Sequence, residues 1–289
     1  MMAKRKLDIC VLSDIHLGTY GCHAQELLDY LHQIDTDILV LNGDIIDAWQ
    51  FKKKYFPKAH VSVLQHILQL SRNGTKVFYL AGNHDEFLRR HIPLQMESFY
   101  LDNKLILEVN GERLWFFHGD VFDASIQGSK WLAKIGGKGY DWLIRFNHII
   151  NTVLDRLNRP RMSLSKKVKK SVKQAAKFIQ DYEKIAADHA IDQNYDRVIC
   201  GHIHQPQIRT IHNQKGSVVY MNSGDWIENL SALEFIDNEW RIYRHQEDFD
   251  PGDLNIEEMR DSEAQEWDLK RKEIDISSIL STEHILHVL

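Results

Sequence analysis

The chain has 289 residues, 43% of them hydrophobic and 27% charged, with a net charge of -5. This length and composition suit one large globular domain, or a domain carrying an insertion, and exclude a disordered chain. No apolar run approaches the roughly 20 residues needed to cross a bilayer as a helix, and three cysteines with no C-x-x-C pair point to a reducing, cytoplasmic setting.

The basic start Lys4-Arg5-Lys6 runs into apolar residues interrupted by Asp8 and Asp14, which reads as a first strand rather than a signal peptide. Strand-length apolar runs then recur from Leu7 to Leu12, Asp37 to Leu41, Val77 to Leu80, Leu114 to Phe117, Arg197 to Cys200 and Val218 to Met221. Cys10 and Cys200 fall inside such runs, where a buried thiol is ordinary. Between the first three runs lie two helix-length segments, from Ala24 to Ile34 and from His60 to Ser71, the second closing at Asn73-Gly74 with the residues of a helix C-cap. The alternation predicts an α/β fold.

The rhythm breaks between Phe117 and Arg197. Trp142, Leu143, Phe146, Ile149, Ile150, Val153, Leu154 and Leu157 follow a helical three-and-four spacing. A second stripe runs through Leu164, Val168, Val172, Ala176 and Ile179. From Arg156 to Gln180 there are nine Lys or Arg and no Asp or Glu, so the rest of the chain sums to -14. The region reads as a basic helical insertion at about 124–190, capping a domain that spans 1–245. Residues 246–289, acidic from Glu247 through Glu273 and carrying Pro251-Gly252, read as a peripheral extension.

Five of the predicted strands end in residues suited to a metal. They are Asp14-x-His16 in SDIHLG, Asp44 in NGDIID, Asn83-His84 in AGNHDE, His118 in FFHGD, and His202-x-His204 in CGHIHQP. Ligands of open α/β sheets bind beyond the carboxyl ends of strands, so these tips can converge. Gly43, Gly82, Gly119 and Gly201 beside them permit sharp turns and close approach. Any one such residue is more often a turn or solvated side chain, but five coincident strand ends reverse that balance. Two Asp, one Asn and four His suffice for two metals, and the mixed nitrogen and oxygen donors suit manganese, iron or zinc better than calcium. Paired metals activate a hydroxide and neutralise the oxygens of a phosphorus centre, so hydrolysis of a phosphate ester or anhydride is the expected reaction. Asp47, three residues after Asp44, is placed to orient His84 as a carboxylate orients a catalytic imidazole.

The motifs D-x-H, G-D-x-x-D, G-N-H-D, H-G-D and G-H-x-H, in this order over about the first 225 residues, resemble the calcineurin-like metallophosphoesterases. The resemblance implies a four-layer α/β/β/α sandwich. It implies one metal, most readily manganese, on Asp14, His16, Asp44 and His204, and a second on Asp44, Asn83, His118 and His202, with Asp44 bridging. His84, paired with Asp47, would stabilise the transition state or protonate the leaving group. Within that superfamily, the basic helical insertion followed by YMNSGDWIENLSALEF is similar to the UDP-2,3-diacylglucosamine hydrolases of lipid A synthesis. Those enzymes split a pyrophosphate to release UMP and leave a diacylglucosamine 1-phosphate. His84 departs from that group, whose best-known members carry Arg there.

On this reading the cap holds acyl chains, and Arg161, Lys169, Lys173 and Lys177 face the pyrophosphate or anionic headgroups. Asp123 and Arg89 are further substrate-contact candidates. Peripheral contact with the inner membrane through the basic cap, Trp131 and Trp142 is a corollary. Three alternatives stand beside it: another nucleotide, nucleotide-lipid or phosphodiester substrate; a nucleic-acid groove, disfavoured because both tryptophans lie beside apolar helical stripes; and a non-catalytic scaffold, disfavoured because no ligand position is missing.

Overall fold

The computed structural model describes residues 4–48, 55–123 and 166–249, with 166–174 described by backbone alone. In chain order the elements are β1 (Arg5–Leu12), α1 (Ala24–Gln33), β2 (Ile34–Asn42), α2 (Lys58–Arg72), β3 (Lys76–Leu80), β4 (Leu94–Met96), β5 (Phe99–Asp102), β6 (Lys104–Val109), β7 (Glu112–Phe117), α3 (Lys166–Asp192), β8 (Arg197–Cys200), β9 (Gln207–His212), β10 (Ser217–Asn222), β11 (Ser231–Ile236) and β12 (Glu239–Arg244). The strands form a seven-stranded sheet in the order β12-β11-β1-β2-β3-β5-β4 and a five-stranded sheet in the order β6-β7-β8-β10-β9. In each sheet the central strands run parallel and antiparallel strands close the edges.

Strand alternation explains the layering, because successive side chains face opposite sides of a sheet. Ile9 and Val11 of β1 meet Leu114, Phe116, Ile199 and Met221 of the other sheet in a core between the two. Cys10 and Leu12 face outwards onto α1 and α2. Ala24, Leu27, Leu28 and Leu31, at the spacing of one helical face, supply the buried side of α1. On the far sheet Trp115, Phe117, Val198 and Cys200 face α3, which packs through Tyr182, Ala186, Ala187 and Ala190. The result is the expected four-layer α/β/β/α sandwich.

The helical segment ending near residue 190 differs from a simple cap. From Tyr182 onward α3 is the outer layer of the second sheet, its small alanines allowing close approach to the strands. Ala176 is exposed and Ile179 half-buried, so the apolar stripe drawn through them is only partly covered. The stripe from Trp142 to Leu157, and both Trp131 and Trp142, lie outside the described residues, as does the chain beyond 249. Among the described residues no helix is long and apolar enough to cross a membrane.

Candidate metal centre

The carboxyl ends of β1, β2, β3, β7 and β8 open at the same edge of the sandwich, and the loops leaving them interlock. Asp14 N–H donates to the Gly43 carbonyl at 3.0 Å, His16 N–H to Asp44 O at 2.9 Å, and Gly201 N–H to His118 O at 3.0 Å. The Asn42 amide crosses between the sheets to the Ile199 carbonyl at 3.3 Å. Asp14, His16, Asp44, His202 and His204 all take left-handed backbone angles, with φ of 51, 53, 54, 68 and 52°. Each costs on the order of 1 kcal/mol or more outside glycine and is held only where the surroundings demand it. Two glycines make the convergence possible. Gly43, at φ 85°, passes so close to the His118 ring that a Cβ would collide with it, and a Cβ on Gly82 would strike the Asp44 carboxylate.

The side chains form three overlapping groups: Asp14, His16 and His204; His16, Asp44 and His84; and Asp44, His118 and His202, with the ligand atoms of each group within 4.8 Å of one another. Asp44 lies at the centre. Its Oδ1 accepts the His84 N–H at 2.8 Å. Its Oδ2 lies 3.3 Å from His118 Nε2, 3.9 Å from His16 Nε2 and 4.0 Å from His84 Nε2. Asp14 Oδ2 accepts the His202 N–H at 2.9 Å, while Asp14 Oδ1 sits 3.1 Å from His204 Nε2. Asn83 Oδ1 is 3.2 Å from His118 Nε2.

Electrostatics follow from burying these charges together. Burial pushes the Asp14 carboxyl up, but His204 and His118 outweigh it and bring it down to about 2. Asp44 is likewise held well below the carboxylate range, burial notwithstanding, by His118, His16 and His84. Burial lowers His118 and His204, yet facing Asp44 and Asp14 raises them to about 10 and about 9. For His16 burial prevails over Asp44 and pushes it down to about 4. Without metal, protons on His118 and His204 thus supply the positive charge that the two carboxylates require. Divalent cations would replace those protons.

The donors fit such ions. His16 Nε2 is buried and makes no hydrogen bond with any described residue, and Asp14 Oδ1, buried as well, faces the His204 ring at 3.1 Å. Leaving a buried polar atom without a hydrogen bond costs about 1–3 kcal/mol unless a ligand completes it.

Around this centre, His84 Nδ1 lies 3.3 Å from Asp47 Oδ1, and the Asp47 contact with help from Asp44 raises the His84 pKa against the lowering by burial. Asp123 meets His202 Nε2 at 2.9 Å. Arg89 does not point to open space. It donates to both Asp120 oxygens at 2.9 Å and to the Ala81 carbonyl at 3.0 Å, tying the loops after β3 and β7 together. Lys177 is exposed on α3. The side chains of Lys169 and Lys173, and all of Arg161, lie outside the described residues.

Sequence reasoning passed over Asp85. This carboxylate is fully buried and accepts the Gly82 N–H at 2.6 Å, the Tyr79 hydroxyl at 2.7 Å and the Ile45 N–H at 2.9 Å, fastening the loops of Asp44 and Asn83 to each other. Its position inside GNHD was the available signal.

A sandwich of two sheets with oxygen and nitrogen donors crowded beyond its parallel strands defines a class, the metal-dependent phosphoesterases, whose chemistry uses two divalent ions. The model of the calcineurin-like phosphoesterase family matches residues 7–206, well over half of the chain, and the chain belongs to that family. A UDP-2,3-diacylglucosamine hydrolase from Aliivibrio fischeri (strain MJ11) is 22% identical over 245 residues, covering 83% of this chain and 99% of the relative. Another of that description from Histophilus somni (strain 129Pt) is 26% identical over 232 residues, covering 77% and 94%. Among solved structures, a dimetal phosphatase from Danio rerio aligns with 13% identity and a TM-score of 0.39, covering 82% of this chain and 95% of that one.

Proposed function

We propose that this phosphoesterase cleaves the pyrophosphate of UDP-2,3-diacylglucosamine, giving UMP and 2,3-diacylglucosamine 1-phosphate. The observation that carries the substrate is the similarity to relatives of that description along 77–83% of the chain. One metal, with manganese as the first choice over iron and zinc, would be held by Asp14, His16, Asp44 and His204. The second would be held by Asp44, Asn83, His118 and His202. The central place of Asp44, with Oδ2 facing three imidazoles, supports its role as the bridge. His84, raised in pKa by Asp47 and Asp44 against burial and backed by Asp47, is the imidazole placed beside the proposed ligands to give a proton to the leaving oxygen. The ions, when bound, supply a hydroxide nucleophile and charge neutralisation.

The test is manganese-supplemented hydrolysis of UDP-2,3-diacylglucosamine, following UMP release beside a metal-stripped control and a plain phosphodiester. Metal-dependent UMP release supports the reading. Turnover of the plain diester alone keeps the dimetal chemistry and rejects the lipid substrate. Replacing Lys169, Lys173 and Lys177 together by Ala is expected to raise KM for the lipid several-fold more than for a small chromogenic diester. Equal effects on both would remove the cap from substrate recognition.

A further inference from the structure

Each of the four imidazoles at the centre has an oxygen of a neighbouring residue beside one of its ring nitrogens. His118 Nδ1 donates to the Asn42 carbonyl at 2.9 Å. His202 Nε2 meets Asp123 at 2.9 Å, and His16 Nδ1 faces Asp47 Oδ2 at 4.0 Å. For His204 the oxygen behind the ring is Asp225 Oδ2, 3.9 Å from Nδ1, on a loop between β10 and β11 that contributes no residue to the proposed metal ligands.

Asp225 is fully buried. Its two oxygens divide their work. Oδ1 accepts backbone N–H groups from Ile227, Glu228 and Asn229, which shapes the turn. Oδ2 is left to the Asn229 amide and the His204 ring. The same Asn229 amide nitrogen donates to the His204 carbonyl at 3.0 Å. The next residue, Trp226, donates its N–H to the Asp14 carbonyl at 3.2 Å. One short loop therefore grips Asp14 and His204, whose side chains meet at 3.1 Å although 190 positions separate them in the chain.

We propose that Asp225, with Asn229, is a positioning residue for the group Asp14, His16 and His204: a carboxylate behind His204 that keeps the Nε2 of that ring turned towards Asp14. The inference rests on the dimetal reading above. Carboxylates that accept a hydrogen bond from a metal-binding imidazole fix its orientation and raise its basicity, and their removal weakens metal affinity about 10–100-fold. Asp225, at 3.9 Å, acts on the His204 ring by its charge and through Asn229. Beyond the three backbone contacts that shape the turn, the second oxygen faces His204 directly and holds the Asn229 amide that bonds the His204 carbonyl.

The full chain, with Asp225→Asn and Asn229→Ala variants, is stripped of metal and titrated with manganese alone. Bound metal is followed by competition with a fluorescent chelator, and the unfolding temperature of the metal-free protein is measured separately. Asp225→Asn keeps the Oδ1 acceptor and removes the charge behind His204. It is expected to weaken one of two binding events by about 10–100-fold and to leave the other nearly unchanged. Wild-type affinity at both events overturns the proposal. So does equal weakening of both, or a lowered metal-free unfolding temperature with affinity intact. If Asp225→Asn does not fold, Asn229→Ala carries the test, with a smaller loss at one event expected and unchanged affinity overturning the proposal. A wild-type chain binding fewer than two manganese ions would instead overturn the dimetal reading itself.

Discussion

Two clusters of buried carboxylate lie in the same sandwich and are treated in opposite ways. Glu234, in the seven-stranded sheet, is fully buried and completed by its neighbours: Arg5 donates to both of its oxygens at 2.9 and 3.0 Å, Tyr30 at 2.9 Å and Arg241 at 2.8 Å. Burial pushes this carboxyl up, and Arg5 and Arg241 more than reverse it, holding it below the usual range. Asp14 and Asp44 are as deeply buried, but among imidazoles instead of guanidinium groups. Asp44 Oδ2 has three ring nitrogens at 3.3–4.0 Å, and Asp14 Oδ1 has the His204 ring at 3.1 Å. Arginine is permanently charged and bidentate, so it closes a carboxylate for good, whereas imidazole can release its proton to solvent and bind a metal in its place. The first arrangement serves stability, and the second is kept open for ligands at a cost in strain that the left-handed residues record.

Breaking the open cluster has the largest expected effect. Asp44→Asn should lower metal-dependent turnover by about a thousandfold or more. It should also abolish the stabilisation expected from saturating manganese in the wild type, about 2.7 kcal/mol for each bound ion at a hundred times Kd. Turnover near the wild-type rate would remove Asp44 from the bridging position. His84→Ala sharpens the contrast within the cluster itself: kcat should fall about 100-fold or more while metal content stays near that of the wild type, because the role proposed for His84 is proton transfer rather than ligation. Metal analysis on the same preparation decides between the two roles.

Glu234→Gln tests the closed cluster. It should destabilise the fold by about 1–3 kcal/mol, since Arg5 and Arg241 are partly exposed and water takes up some of the loss. It should leave metal binding and turnover unchanged. The pH dependence has a definite sign. A carboxyl whose folded pKa is depressed contributes stability above its unfolded pKa and loses it as pH falls through the folded value. Chemical unfolding of metal-free protein between neutral pH and pH 3 should therefore show a shallower acid decline in Glu234→Gln than in wild type. Parallel declines would mean that Arg5 and Arg241 do not hold Glu234 as described.

Much of this architecture was legible along the chain. Apolar runs of strand length marked β1, β2, β3, β7, β8 and β10, since strands buried on both faces read as near-continuous apolar segments. The Asn73-Gly74 stop fell where α2 ends, Asn73 N–H bonding back to Gln69 and Leu70 and Gly74 taking φ 103°. The edge strands β4, β6, β9 and β12, and β5 and β11 beside two of them, were not anticipated. β6 alternates exposed and half-buried positions, and β9 and β12 carry mostly polar residues towards solvent, so their pairing depends on a neighbour the local sequence does not contain.

The sequence by itself determined the chemistry. Asp, Asn and His at strand ends can hold metals whatever surrounds them, and their order matches one family. Only the tertiary structure decided which nitrogen of each imidazole faces its partners, that Arg89 ties two loops together, that half of α3 belongs to the sandwich, and that Asp85 and Asp225 hold the loops in place. Those outcomes depend on backbone handedness and on contacts between residues tens to hundreds of positions apart. Such contacts leave no periodic trace in the chain, because each is made once.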